Sequence, residues 1–357
     1  MFSWQRIHFI DELSRHGIEF VTFNPLLFNT PEEANEQFIK LLGDGKYDLL
    51  LSSVCYPGMI FPEVLSTAKK RGLPSLCIRW DNLTIPFFDE QQASKFDLLW
   101  LTAYETEYLY KKWGANYIIQ PYAANPYSFN YQEQPPIRKV CFIGTPYGSR
   151  SLMINELTRN QVSVNAYYGG VVKQKSKFVV KYSNVTPSRT KIFFDRLRFS
   201  QGRKIMLGMI VNKMTKQQKI ENNAYLEHFS AVTPSELSGY YSQYVLSLAS
   251  TSTNHTDALR NPLKIINLRN FEIPMSGGIE ICKYNNELAE YFEEGKEIVF
   301  YKDDEELIEK SKYFTKKASD SEIFKIKQNA RIRASKEHSW WCRFTKTFDA
   351  LGLKYDK

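Results

Sequence analysis

Arg269 and Glu272 stand one helical turn apart in NLRNFEIPMSGG, just before Gly277 and Gly278. A guanidinium presents a fork of donors that suits phosphate oxygens. A carboxylate and two glycines beside a following strand are placed to hold a ligand, because ligands of open α/β sheets bind outside the strands' carboxyl ends and glycine lets the backbone approach closely. The plainer alternative is that Glu272 is a solvated helix residue and Gly277-Gly278 only a turn. Lys264 and Arg150 are the other candidate cations. Gly144, Ser149 and Arg150 lie in GTPYGSR, a glycine-containing turn into a helix, whose free N–H groups and positive dipole end suit a diphosphate. Asp81, in RWDN directly after a strand, is either a cap beside a Trp80 lid or a carboxylate that orients an acceptor hydroxyl or takes its proton.

Other chemistry is poorly represented. The five cysteines are scattered singly without CxxC spacing, and three lie in apolar strand-like runs, so they read as buried thiols and not as disulfides or zinc ligands. The five histidines share no ligand spacing. Asp303-Asp304 resembles an acidic metal pair but precedes Glu305 and Leu307 at a helix start, where acids complement the dipole. No metal or other cofactor is expected, and no GxSxG or Cys/His hydrolase signature occurs.

The surrounding elements must bring these residues together. Helices are expected at Trp4–Arg15, about Pro31–Leu42, Phe61–Arg71 and Tyr104–Trp113; strands at Ile18–Phe23, Asp48–Ser52, Ser75–Trp80, Leu98–Leu101 and Tyr117–Ile119. This alternation predicts a parallel sheet. A first strand ahead of Trp4 is missing, or the domain is trimmed at that edge. Pro121–Pro136 reads as a linker; Lys139–Ile143 restarts the pattern, Val164–Tyr168 and Tyr244–Leu248 continue it, and Leu263, Ile266, Phe271 and Ile273 predict an amphipathic helix before the strand Ile279–Cys282. With 357 residues, 43% hydrophobic and 15% aromatic, the chain suits two packed domains. The boundaries are 1–133 and 134–337, with a last helix from His338 in 338–357 returning to the first domain. No window reaches the ~20 apolar residues of a membrane span, nor does the amino terminus carry a signal-like apolar run. The chain reads as cytoplasmic.

The series RWDNLTIPF, FDLLWLTAYETEYLYKKWGA, PYAANPYSF, KVCFIGTPYGSR, NLRNFEIPMSGG, ELAEYFEEGKEIVFYKDDEELIEK and EHSWWCRF resembles, in order and spacing, CgeB-like proteins of the group 1 glycosyltransferases. The resemblance implies an α/β protein of GT-B fold: two Rossmann-like domains whose parallel sheets face a central cleft that holds a nucleotide-sugar donor. It implies that Glu272 binds the donor ribose, and that Arg269 belongs to an NxRxFE pattern through Asn267. Where such relatives place a first glutamate, which helps hold the donor sugar, this chain has Lys264. The resemblance implies hexosyl or related transfer, with retention in the two-glutamate relatives; the lysine keeps the sugar and the stereochemical course from being carried over.

A net charge of +8 asks for an anionic partner. It comes from Lys173–Lys219, inside a proposed insertion at about 172–222, where bases interleave with Phe193, Phe194, Phe199 and the IMLGMI run. That composition describes an interfacial segment meeting an anionic membrane, with a lipid-linked glycan as acceptor; the alternative is packing on the second domain or a second subunit. Nucleic acid is a weaker third choice, since no recognition module appears. Two functions follow: a cytosolic glycosyltransferase, or a non-catalytic protein that binds a sugar nucleotide or glycan.

Overall fold

The computed structural model describes residues 3–56, 59–80, 82–131, 133–146, 148–169, 188–214, 219–253 and 256–355. Two parallel sheets organise it. The first runs β1 (Leu50–Ser52), β2 (Ser75–Arg79), β3 (Leu98–Leu101) and β4 (Tyr117–Ile119), in that spatial order. The second contains β5 (Ile137–Ile143), β6 (Val164–Tyr167), β7 (Leu226–Phe229), β8 (Tyr244–Leu248), β9 (Glu280–Lys283) and β10 (Val299–Tyr301), ordered β10-β9-β8-β5-β6-β7. Every side chain of β2, β3, β6 and β8 is buried, as continuous apolar runs in covered parallel sheets require.

The first helix is continuous from Ser3 to Arg15 but passes through a π-helical stretch, Arg6–Ile10. The irregular turn leaves the Ile7 carbonyl to outside donors: Asn125 Nδ2 at 2.7 Å and Ser128 Oγ at 3.1 Å, both from the connection between the sheets. At the far end of the chain, Trp340–Leu351 packs on the first sheet, where Phe344 meets Trp100 edge-on with ring centroids 5.3 Å apart. The amino end of this last helix is capped at three N–H groups. Glu12 Oε2 and Oε1 accept from the N–H groups of Trp340 and Trp341 at 3.2 and 2.8 Å, and Ser339 Oγ accepts from Cys342 at 3.2 Å. One apolar cluster, including Phe9, Leu13, Trp100, Tyr241, Phe271, Trp340 and Phe344, therefore runs through both sheets' domains.

Several expectations need correction. Ile18–Phe23 forms no strand. Its alternating pattern suits one, but a strand needs a neighbour, and β1 stands at the edge of its sheet with β2 as its partner. The helix expected from Leu263 begins only at Arg269. Upstream, the backbone pairs instead with the loop after β8: Thr253 N–H donates to the Leu263 carbonyl at 3.0 Å and Ile265 N–H to Thr251 at 2.7 Å, which commits groups that a helix would need. Cys342 is half-buried, whereas the other four cysteines are buried. In the basic stretch the structure shows helices Arg189–Leu197 and Ser200–Met214; Lys173, Lys175, Lys177, Lys181 and Lys216 lie outside the described residues. These two helices reach across to the first domain. Ile205 packs with Leu83, Ala103 and Leu263, and Arg198 pairs with Glu90 at 2.8 Å.

Candidate functional site

After β5 the chain adds β6 on one side and later β8 on the other, so the second sheet has its topological switch point between β5 and β8. A crevice opens at the carboxyl ends of such strands. Gly144 follows β5 there with φ of +131°, and Arg269 lies directly against it. A Cβ built on Gly144 would fall 2.3 Å from Arg269 Nη2, so a side chain here would push the guanidinium aside, and the positive φ itself favours glycine.

Arg269 is aimed by its own helix start. Asn267 Oδ1 accepts from the Arg269 N–H at 3.1 Å, Asn270 Oδ1 accepts from the Asn267 N–H at 2.8 Å, and Asn267 Nδ2 donates to the Ser250 carbonyl at 3.0 Å. Asn267 thus ties the helix to the end of β8. One turn on, Glu272 is 5% exposed, and its Oε1 lies 3.3 Å from Nε2 of His8 in the first helix. His8 is held by ring contacts with Trp4, Phe129 and Trp340. A carboxylate offers about four lone-pair sites, so this imidazole uses only part of the Glu272 capacity.

Below these two residues Glu280 is buried, accepting from Asn270 Nδ2 at 2.5 Å. Burial pushes its carboxyl up to about 7, against the opposing hydrogen bonds of Cys282 and Asn270 and the charge of Arg269. Burial likewise drives the Tyr241 hydroxyl upward in pKa, with Arg269 opposing. The Arg269 guanidinium thus supplies a positive field to groups held in a poorly hydrated interior.

The other expected residues fall elsewhere. Ser149 does begin a helix, but that helix start already carries a carboxylate: Asp257 Oδ2 accepts from Ser149 N–H at 3.1 Å and from its hydroxyl at 2.9 Å. Arg150 is buried and donates to the Thr145 carbonyl at 3.2 Å. Lys264 is exposed, with Nζ 6.0 Å from the Tyr284 ring centre. Gly277, with φ of +70°, ends the Arg269–Met275 helix and is covered by Tyr131, whose ring would be 2.4 Å from an added Cβ. Asp81 lies outside the described residues. Its neighbours Arg79 and Asn82 turn into the first domain and not toward the cleft. Arg79 pairs with buried Asp89 at 2.7 Å, and Asn82 bonds Ala103 and Thr106. A shallow cavity of about 360 Å³, lined by Asp11, Ser14, Arg15, Asn125, Tyr127 and Ser128, contains none of the expected residues. Its lining mixes Asp11 with Arg15 and lies away from the switch point of the second sheet, so the strand ends at Arg269 are the better candidate. Among the described residues, no group of three His, Cys, Asp or Glu side chains is placed to hold a metal ion.

His8, Tyr241 and Glu280 were not legible as site residues. His8 and Glu272 come from opposite ends of the chain, and no local spacing announces their meeting. Glu280 carried a usable signal, an acid inside the otherwise apolar run GGIEIC.

Residues 201–349 match the model of a family described as "Glycosyl transferase-like". No curated protein matches the chain in sequence. Among solved structures, a glycosyltransferase from Rickettsia africae ESF-5 superposes with a TM-score of 0.56 at 10% identity, covering 97% of this chain and 88% of that one. Anabaena Alr3699/HepE, in complex with UDP-glucose, gives 0.53 at 12% identity with coverage of 96% and 88%. Sucrose-phosphate synthase from Thermosynechococcus elongatus gives 0.51 at 12% identity, with coverage of 90% and 78%. Identities this low speak to architecture alone. The chain has the GT-B fold of these enzymes, and its second half carries the glycosyl transferase-like match.

Proposed function

We propose that the protein is a group 1 glycosyltransferase that moves a sugar from a nucleotide-sugar donor to a glycan acceptor, with the donor diphosphate at Arg269 and the ribose at Glu272. The observation that carries this reading is the pairing of Arg269, lying against Gly144 at the sheet's switch point, with a buried carboxylate one turn away. In the transfer, the bond from the sugar's anomeric carbon to the diphosphate oxygen breaks, and a bond to the acceptor oxygen forms. The acceptor loses its proton, and negative charge accumulates on the leaving diphosphate. A fixed guanidinium in a water-poor crevice stabilises that charge, which is electrostatic catalysis. Asp81 is proposed as the carboxylate near the acceptor hydroxyl, from its sequence position after β2. A CgeB-like specificity, a cell-envelope or lipid-linked acceptor and metal independence belong to the same proposal.

A second reading is favoured by Lys264, which stands where donor-sugar binding expects a glutamate: a protein that binds the nucleotide sugar without transferring it. Incubation with a panel of nucleotide sugars and a cell-envelope acceptor extract separates the two. Release of nucleoside diphosphate that depends on acceptor, and falls at least about tenfold in Arg269→Ala, supports the transferase. Saturable binding of the same nucleotide sugars with no release in any combination would favour the binding protein.

A further inference from the structure

The hairpin Arg189–Leu197 and Ser200–Met214 leaves an unusual surface. Phe193, Phe194, Leu197, Leu207, Met209, Ile210 and Met214 are all exposed, by 38% to 79%. Leu207, Ile210 and Met214 fall at i, i+3 and i+7, hence on one face of their helix, with Arg203 one turn ahead of them. These apolar residues are not needed for the hairpin's own packing. That task falls to Phe199, Ile205, Gly202 and Gly208, which are buried; a Cβ on Gly202 would meet the Arg196 carbonyl at 2.0 Å, so the glycine lets the second helix start tightly against the first. Among the described residues, the remaining face is apolar and basic, and no apolar cluster covers these exposed side chains. From Arg189 to Met214 the hairpin holds seven Lys or Arg and a single acid, Asp195. Arg198 is engaged with Glu90 and Asp195, and Arg203 donates to the Leu197 carbonyl at 2.9 Å, whereas Arg189, Lys191 and Lys213 are exposed.

We propose that this hairpin face is a docking surface for an anionic lipid bilayer. Its apolar side chains would enter the acyl boundary while the flanking bases meet negative headgroups. Charge decides against a second copy of the chain as the occupant, because a two-fold interface sets the same patch against itself and would bring base against base. It decides against a neutral apolar partner as well, which would leave the exposed cations uncompensated. Since Gln201 Oε1 accepts from Tyr108 at 3.0 Å and Ile205 packs with Leu83 and Ala103, the hairpin rests on the first domain although it is part of the second. Docking would thus place the lipid surface against both domains. The proposal stands whether or not the protein transfers sugar.

Co-sedimentation of the full chain with vesicles tests it, using phosphatidylcholine alone and with about 30 mol % phosphatidylglycerol. The protein should pellet with the anionic vesicles at low salt and be released at ~0.5 M salt, where screening shortens to a few ångströms. Replacing Leu207, Ile210 and Met214 together by Ser should lower the partition at least about tenfold. Lys191→Glu with Lys213→Glu should lower it comparably on anionic vesicles, through lost charge attraction. These positions are exposed, so the thermal midpoint should not move. Protein remaining in the supernatant with anionic vesicles at low salt would overturn the proposal. So would a light-scattering mass of a dimer that the triple Ser variant converts to monomer, which would assign the face to a second copy.

Discussion

Gly144 and Arg269 show how one glycine can decide a site. Any side chain at position 144 would displace the guanidinium and must adopt a φ of +131° that L residues rarely take. Gly144→Ala should therefore weaken nucleoside diphosphate binding about tenfold or more, while far-UV circular dichroism stays close to wild type. Unchanged binding would show that Arg269 does not need its observed place. Arg269 and Glu272 can be nominated from the sequence because they stand one turn apart before a glycine stop, and their roles at the donor are the proposal that their alanine variants test. Ser149 was legible as a helix start but misleading as an anion site, since only the folded chain brings Asp257 onto its N–H and hydroxyl. The Arg79–Asp89 pair teaches the same lesson: a polar cluster after a strand can serve the domain's interior instead of its cleft.

Elements were readable wherever their partners lie close in sequence. Pro31–Asp44 announces itself by Thr30, whose hydroxyl accepts from Glu33 N–H at 3.1 Å, and Asp304–Lys316 by Asp303, which caps Glu306 at 2.9 Å. Ile18–Phe23 and the segment before Arg269 depart from their sequence patterns because pairing is not local. The first has strand composition without a neighbouring strand, and the second has helical periodicity but spends its backbone on Thr251 and Thr253. The last helix depends on a cap from the other end of the chain. Glu12→Ala would leave the Trp340 and Trp341 N–H groups unbonded in a buried setting, at a cost of about 1–3 kcal/mol. The expected result is a thermal midpoint lower by a few degrees, roughly as that free energy dictates for a chain of this size; an unchanged midpoint would mean that the cap contributes nothing.

At the scale of the whole molecule the two sheets share a core, and their joint also carries opposed acids. Glu287, beyond β9, is pushed up to about 7 by burial, with Glu105 of the first domain adding repulsion, and burial raises Glu105 too. Tyr291 opposes the shift at Glu287, while Lys204 and Lys264 oppose it at Glu105; Tyr104 and Glu290 complete the group. Because the folded pKa of Glu287 lies above its unfolded value, its contribution to stability is fully present below about 4.5 and is lost as pH rises through about 7. Glu287→Gln should therefore gain in thermal midpoint over wild type as pH goes from 5 to 8, by roughly a degree or two. An advantage that shrinks over that range would contradict the penalty that burial, with Glu105 adding to it, sets on the Glu287 carboxylate. The central claim is the donor crevice itself, and calorimetric titration with uridine and guanosine diphosphates tests it most directly. Wild type should bind at least one of them, Arg269→Ala and Glu272→Ala should each weaken that binding by about ten- to hundredfold, and Lys296→Ala, an exposed partner of Glu293, should leave it unchanged. Binding in Arg269→Ala and Glu272→Ala equal to wild type would contradict the account.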